Sequence, residues 1–254
     1  MARSFLKTSS EYLSVANAVV TATPLTMAGW FYLDTSDHHD LMNITETGAN
    51  NEGFRITARN TDDIVASVRD GGAQDSAVST TTYSTSTWHH FAGVYTSSTS
   101  RHVLLDGGGK GSETTSSTPT LLDTTSLGAY NGASIINPIN GDLAEIGIWN
   151  AALTDSEVAS LAAGYSPLFI RPGNLVAYWP LGGKVANDSD VDIVGGYDMT
   201  AYNTPTTADH PPGIIYPSGP LLGAIEALTP FPGMGDSPSA TNDDRSIFPA
   251  VQVM

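Results

Sequence analysis

Cysteine is absent from the 254-residue chain, and basic residues are scarce. Without cysteine no disulfide can stabilise the fold, so stability depends on the size of the core and on subunit contacts. The 10 basic and 26 acidic residues give a formal net charge of -16. Binding to nucleic acid or to an anionic membrane surface needs clustered Lys and Arg, so this charge disfavours both kinds of partner.

Long apolar segments are missing as well. The N-terminal residues MARSFLKTSSEYLSV lack the apolar stretch of a secretory signal, and no run approaches the length of a membrane span. We therefore expect synthesis in a cytosol without export by the general secretory route. Charged residues make up only 14% of the chain, and Ser, Thr, Asn and Gly take their place, which is typical of short strands joined by polar turns.

Alternating apolar and polar residues predict a protein built from β-strands. Residues 25–34 (LTMAGWFYLD) are apolar on both faces, which predicts a central strand covered on both sides. Residues 54–59 and 64–69 alternate around a polar turn, which predicts a hairpin with Arg55, Thr57 and Arg59 pointing outward. Further strands are predicted at residues 88–96, 101–106, 121–128, 141–150 and 174–181. Within residues 141–150, alternation predicts that one face holds Leu143, Glu145, Gly147 and Trp149.

One helix is predicted. Thr154 and Glu157 have the spacing of a capping box, an apolar segment follows them, and Gly164 supplies a C-terminal stop. Prolines recur after residue 203, so residues 204–254 are predicted to form an extended arm and not sheet.

Several motifs in a fixed order resemble the laminin-G-like branch of the concanavalin-A-like lectin and glucanase jelly rolls. The resemblance covers residues 4–166 and rests on GWF (29–31), WHHFAGVY (88–95), DG (106–107), LGA (127–129) and NGDLAEIGIWN (140–150). It implies an all-β protein, a two-sheet antiparallel jelly-roll sandwich with one short helix. Residues 1–203 are the predicted domain, with residues 174–203 completing the sandwich after the helix.

The end of this region is similar to a second group of proteins. ADHPP (208–212) and the later Tyr216-Pro217 resemble endings found in lectin-like proteins of bacteriophage particles. This resemblance implies a virion component made in the host cytoplasm. Its expected partners are subunits of the same particle, including further copies of itself.

Glycoside hydrolysis is the enzymatic activity that this fold can support. A retaining mechanism needs two carboxyl groups roughly 5–5.5 Å apart. The comparable strand residues here, Asp142 and Glu145, are three apart and are predicted to point to opposite faces unless a bulge intervenes. No motif of a nucleophile elbow or a phosphate loop is present either. We therefore predict that the chain is not an enzyme.

Candidate contacts to a glycan are aromatic or acidic. The four tryptophans lie in predicted strands and are expected in the core, so loop rings are the better platforms, namely Tyr83 and Tyr130. Glu145 is a candidate sugar or metal contact, and the alternative is a buried acid hydrogen-bonded to a loop.

Candidate metal ligands are few. The run Asp37-His38-His39-Asp40 is the densest cluster, although adjacent residues in a turn rarely converge on one ion, and a solvated loop is the alternative. Laminin-G-like relatives often bind calcium at one edge of the domain. No position here matches a ligand set that can be transferred from them, and Asp142 is the best single candidate.

The Pro/Gly-rich segment after residue 217 contains recurring apolar residues. It is too poor in regular structure to form its own core and too apolar for a solvated tail. It therefore either binds a neighbouring subunit or packs as a strap over its own sandwich. Its candidate anchors are Leu221, Leu222, Ile225, Leu228, Phe231, Ile247 and Phe248.

Three functions follow, in this order. The first is a non-enzymatic virion component, a capsid decoration or fibre-type protein whose lectin-like sandwich faces outward. The second is a carbohydrate-binding adhesion module for host or surface glycans. The third is a glycoside hydrolase.

Overall fold

A computed structural model describes residues 1–182 and 190–217. In these residues two large antiparallel sheets form a sandwich with a single α-helix, α1 (Asp155–Ala162), which confirms the predicted all-β jelly-roll class. Short 3-10 helices occur at Lys7–Ser9 and Pro167–Phe169. Across the two described ranges, no helix is long and apolar enough to cross a membrane. All seven predicted arm anchors lie outside the described residues.

The first sheet, sheet A, has eight strands. They are β1 (Ala2–Phe5), β3 (Leu25–Leu33), β8 (Trp88–Ser97), β9 (Ser100–Leu105), β10 (Gly108–Glu113), β14 (Gly141–Trp149), β15 (Leu175–Trp179) and β17 (Thr206–Ala208). Their spatial order is β10-β9-β8-β3-β14-β1-β17, and β15 also pairs with β14.

The second sheet, sheet B, has seven strands. They are β2 (Tyr12–Val15), β4 (His39–Thr45), β5 (Gly53–Ala58), β6 (Ile64–Asp70), β7 (Ala73–Val78), β11 (Thr124–Leu127) and β16 (Thr200–Tyr202). Their spatial order is β16-β2-β11-β4-β5-β6-β7. A separate two-stranded hairpin is formed by β12 (Tyr130–Asn131) and β13 (Ile135–Ile136).

The main core lies between the two sheets. Phe31 and Phe91 from sheet A meet Phe54 and Ile56 from sheet B, and all four are at most 1% exposed. A second apolar cluster lies on the outer face of sheet A, where α1 packs against the sheet. Strand β3 therefore has buried residues on both faces, which confirms its prediction as a central strand.

The helix begins as predicted. The Thr154 side chain accepts a hydrogen bond from the Glu157 amide, and the Glu157 carboxylate accepts one from the Thr154 amide at 2.7 Å. These reciprocal bonds satisfy amides that have no partner in the first helical turn. The buried helix residues, Val158 and Leu161, then face the outer cluster of sheet A.

A β-bulge interrupts β14 at Glu145. The register with β3 shifts between Ala144 and Gly147, and Glu145 has a φ of 56°. Leu143 and Ile146 consequently both lie in the core between the sheets. The prediction that Leu143 shares a face with Trp149 is wrong, because the extra residue reverses the alternation of the strand.

The chain returns to both sheets after α1. Strand β15 pairs with β14 and β16 pairs with β2, so the region that follows the helix contributes to each sheet. Strand β17 then pairs with β1, and a parallel bridge joins Ile215 to Tyr165. Residues 206–217 therefore lie against the sandwich, and the predicted start of the arm at residue 204 is too early.

Candidate functional site

The outer face of sheet B is polar along its whole width. One row of cross-strand neighbours consists of Ser126, Asn43, Arg55, Ser67 and Ser76, in that order over five strands. The apolar residues beside this row point into the core, as alternation requires, namely Met42, Ile44, Phe54, Ile56, Ala66, Val68, Ala77 and Leu127. A polar sheet face in which most of these side chains are nevertheless buried indicates that something covers it.

The β12–β13 hairpin provides that cover over part of the sheet. The Asn43 side-chain amide donates to the Ala129 carbonyl at 3.0 Å, and the Thr45 hydroxyl donates to the Asn131 carbonyl at 2.7 Å. The Arg55 guanidinium lies 4.4 Å from the centre of the Tyr130 ring, a cation–π contact. The hairpin thus covers β11 and β4 and reaches Arg55 on β5, and part of the outer face of β5, β6 and β7 beyond it is open.

A groove of about 270 Å³ lies on this open part, and we call it the arginine groove. Its volume is near the lower end for ligand pockets, roughly 300 Å³, so it suits the end of a ligand better than a long segment. It is lined by His38, Arg55, Thr57, Arg59, Val65, Arg69, Gln74, Ser76, Ile136 and Asn137.

A buried charge network holds the floor of the groove. Asp40 is fully buried and accepts two hydrogen bonds from the terminal Nη2 of Arg55, at 2.8 and 2.7 Å. Thr57 and Asn137 also donate to this carboxylate, at 2.8 and 2.9 Å. With its partners saturated, the network fixes the position of the Arg55 guanidinium, and preorganised donors bind a ligand at little conformational cost.

A second arginine pair lies at the end of β5. The Arg59 guanidinium donates to both carboxylate oxygens of Asp63, at 2.5 and 2.7 Å. Burial raises the pKa of Asp63, but the hydrogen bonds from Arg59 and Thr61 outweigh it, so the pKa lies below its usual value. Asp63 is therefore ionised near neutral pH, and it orients Arg59 along the rim of the groove.

Neither predicted aromatic platform is available to a ligand. Tyr83 is 4% exposed and donates to the Arg59 carbonyl, and burial raises the pKa of its phenol. Tyr130 is fully buried beneath Arg55. The prediction that these rings present open faces is wrong, because both loops fold back onto the sheets. Each residue instead contacts a groove arginine from behind.

Glu145 lies on the other side of the molecule, beneath the C-terminal segment. Its bulge directs the carboxylate to the outer face of sheet A, where it is 2% exposed. The Tyr178 hydroxyl donates to one oxygen, and the other accepts from Tyr216 at 2.7 Å and contacts His210 Nε2 at 3.0 Å. Burial and the nearby Glu145 carboxylate raise the pKa of both tyrosines. The structure thus matches the alternative of a buried acid hydrogen-bonded to a loop.

The same bulge places Asp142 and Glu145 on one face of β14, contrary to the prediction from spacing. Both Glu145 oxygens are nevertheless occupied by side chains, and the covering segment excludes a substrate. A general acid or nucleophile must reach the glycosidic oxygen or the anomeric carbon, and Glu145 cannot do so in this arrangement.

Asp142, the candidate calcium ligand, is half-buried on β14. Burial raises the pKa of its carboxyl group, and Asp34 and Asp209 act in the same direction. Within residues 1–182 and 190–217, no group of three or more His, Cys, Asp or Glu side chains has the arrangement of a metal site. Calcium binding at Asp142 therefore stays a prediction.

The residues of the Asp37–Asp40 run diverge. Asp37 pairs with Lys7, and His39 is buried with its Nδ1 3.1 Å from the Pro138 carbonyl oxygen. His38 lines the arginine groove, and Asp40 pairs with Arg55. The run therefore builds one wall and the floor of the groove without converging on an ion.

Sequence reasoning did not identify the groove. It placed Arg55, Thr57 and Arg59 on an outward face, and Arg69 ends the partner strand of the same hairpin. Basic residues recurring on the polar face of one hairpin, in a chain with only 10 of them, were the signal available. The wall formed by His38 and Asn137 comes from distant segments and leaves no local pattern.

Comparisons with known proteins place the fold. A family model described as the concanavalin A-like lectin/glucanases superfamily matches residues 7–159. Among curated protein sequences, no match was found.

Solved structures provide two similar folds. A Bacteroides ovatus protein described as carbohydrate-binding has a TM-score of 0.60 and 18% identity, over 85% of this chain and 61% of that one. The native heptameric SAP-like pentraxin of Limulus polyphemus has a TM-score of 0.54 and 13% identity, over 65% of this chain and 83% of that one. At these identities the similarity establishes the lectin-like fold and no shared residue roles.

Proposed function

Because this chain belongs to the concanavalin A-like lectin/glucanases superfamily, we propose that it is a non-catalytic carbohydrate-binding module whose ligand occupies the arginine groove. The observation that carries the proposal is the saturated Asp40 network under an open groove. Such a network orients the donors that surround it, and oriented donors with acceptors at the rim suit the hydroxyls of a sugar.

The absence of catalysis is part of the proposal. Asp142 and Glu145 are the acid pair that hydrolysis would need. The side chains of Tyr178, Tyr216 and His210 separate the Glu145 carboxylate from solvent. The Bacteroides ovatus protein of similar fold is described as carbohydrate-binding, which supports a binding role for this chain.

The test is a glycan array probed with the full chain and with two tryptophan substitutions. Ser76→Trp fills the groove from β7, whereas Ser112→Trp places the same bulk on exposed β10, in sheet A. We expect the wild type and Ser112→Trp to bind the same glycans and Ser76→Trp to lose them. An array without any bound glycan, or equal binding by both variants, would refute the proposal.

A second candidate function is the structural role in a particle, with the chain after residue 217 binding neighbouring subunits. It is favoured by an exposed apolar group beside the last described residue, formed by Tyr165, Phe169 and Ile215 at 44%, 44% and 46% exposure. An exposed apolar group of this kind is typical of a protein contact. Repetition of such a contact would supply avidity to a weak lectin site.

Light scattering tests this role. The full chain is expected to form a defined oligomer or to join a particle, and a chain truncated after Pro217 is expected to be a folded monomer. Two equally folded monomers would eliminate the assembly role and leave the binding role standing.

A further inference from the structure

The arginine groove is a basic site on an acidic protein. Three of the chain's 10 basic residues, Arg55, Arg59 and Arg69, line it, and no carboxylate is among its lining residues. The chain as a whole has a formal net charge of -16. Basic residues gathered in one groove against such a background indicate a ligand with negative charge.

Each groove arginine keeps one terminal nitrogen for a ligand. Arg55 and Arg59 use Nε and Nη2 for their carboxylate partners. Arg69 uses Nε for the Gln74 side chain and Nη1 for the Asn50 carbonyl. Among the described residues no hydrogen bond involves Nη1 of Arg55, Nη1 of Arg59 or Nη2 of Arg69. Guanidinium groups fixed through their other nitrogens are suited to binding an oxyanion.

Arg69 supplies the unbalanced charge. Arg55 is neutralised by Asp40 and Arg59 by Asp63, whereas Arg69 forms no ion pair with a carboxylate in residues 1–182 and 190–217. Its hydrogen-bond acceptors are both neutral amide oxygens. An anion in the groove would therefore gain most from Arg69, because that charge is not already paired.

Some buried polar atoms without partners lie beside Arg55, behind the lining of the groove. Of the seven such side-chain atoms in the described residues, three surround Arg55: Asn43 Oδ1, Ser67 Oγ and the Tyr130 hydroxyl. Asn43 and Ser67 are the direct cross-strand neighbours of Arg55. None of these three residues lines the groove, so the proposal rests on the arginines and not on these atoms.

We infer that the arginine groove binds the anionic group of an acidic saccharide, a carboxylate or a sulfate, and that Arg69 selects acidic over neutral glycans. This inference rests on the proposed function. A nucleic acid fits the site poorly, since an extended phosphate backbone needs a track of cations and would meet the acidic surface beyond the groove. A single charged group on a largely neutral glycan avoids that repulsion.

Two matched pairs of polysaccharides, measured against the full chain by biolayer interferometry, test the inference. They are dextran sulfate against dextran, and polygalacturonate against its methyl ester. We expect binding to one or both acidic members, at least about 10-fold tighter than to the uncharged partner, from the strength of a charge-assisted hydrogen bond. Free glucose 6-sulfate or galacturonate should compete, and glucose or galactose should not.

Variants distinguish binding in the groove from nonspecific electrostatic attraction to basic residues elsewhere. Arg69→Met should weaken binding of the acidic polymer by about 10-fold or more, and Arg69→Lys should fall between it and the wild type. Lys110→Met removes the same charge from an exposed pair with Asp155 and should leave binding unchanged. Circular dichroism establishes that each variant is folded. The competition by free acidic sugars uses the wild-type chain, so that test does not depend on the folding of any variant.

The outcomes distinguish the two levels of the proposal. Equal binding of neutral and acidic members, lost in Ser76→Trp, would overturn the acidic class and leave carbohydrate binding intact. Failure of every glycan to bind would overturn both. Equal, Arg69-dependent binding of single-stranded DNA would also overturn the inference, because the groove would then recognise polyanions without regard to the sugar.

Discussion

The two outer faces of the sandwich have opposite characters. The outer face of sheet A is covered by α1, which packs on the cluster containing fully buried Trp149, and by the segment 209–217, which lies over Glu145. The outer face of sheet B is polar, and the short β12–β13 hairpin lies on part of it. Closing one face enlarges the apolar core, while the other face keeps ordered polar groups for recognition. Under the proposed function, the ligand therefore binds the side of the fold opposite to the covered one.

The largest expected effect concerns the polar face. Asp40→Ala leaves Arg55 buried without its counter-charge, which should lower the free energy of unfolding by about 3–5 kcal/mol. The control is Lys110→Ala, which breaks an exposed pair and should cost about 1 kcal/mol or less. Urea unfolding of the three proteins provides the values. A loss of 1 kcal/mol or less for Asp40→Ala would mean that the hydrogen-bond network around Asp40 does not stabilise the fold.

The covered face should be held partly by Glu145. Glu145→Gln preserves its shape but leaves a buried amide opposite Tyr178, Tyr216 or His210, which should cost about 2–3 kcal/mol. Limited proteolysis should cut residues 206–217 faster in this variant. Glu46→Gln is the matched control and should change stability by no more than about 0.5 kcal/mol. Unchanged proteolysis would show that the segment is held by its strand pairing alone.

Acid should weaken the covered face. His90 is 1% exposed on sheet A, and burial lowers its pKa to about 3, partly opposed by Asp106. Below about pH 6.5 the His90 imidazole therefore binds a proton in the unfolded chain but not in the folded chain. The free energy of unfolding consequently falls as the pH drops. From pH 7 to pH 5 the loss should be about 2 kcal/mol.

A substitution isolates this contribution. His90→Gln cannot titrate, so it should remove most of the decline between pH 7 and pH 5 in chemical unfolding. A smaller slope should persist, since burial also lowers the pKa of His39 and His102. An unchanged slope would assign the acid sensitivity to other groups.

The smallest effect is at the helix that closes sheet A. Thr154→Ala removes the capping box and should cost about 1 kcal/mol, a decrease of roughly 2–4 °C in Tm. Ser160→Ala, whose hydroxyl donates to the Ser156 carbonyl of the same helix, should have little effect. If the two variants melt alike, the position of α1 is set by Val158 and Leu161 and not by its N-terminus.

Local patterns predicted the elements well. The β5–β6 hairpin, the central strand β3 and the capped helix α1 each depend on residues close in sequence, and each was predicted from the chain. The bulge at Glu145 was not, because one inserted residue leaves the apolar pattern plausible in either register. Its detection required the pairing of β14 with β3.

The sites were predicted less well. Glu145 was identified as either a contact or a buried acid, and only the covering segment, about 65 residues later in the chain, decides for the buried acid. Tyr83 and Tyr130 were expected in the open because loop aromatics commonly are. Their burial follows from loops that fold back over strands distant in sequence.

The sequence by itself determined the fold class, the single helix and the outward direction of Arg55 and Arg59, because alternation and capping act over a few residues. The tertiary structure alone decided that Arg55, Arg59 and Arg69 line one groove, with His38 and Asn137 as its wall. It also decided that Glu145 is closed off. Both outcomes depend on contacts between distant segments, whose relative positions no local pattern encodes.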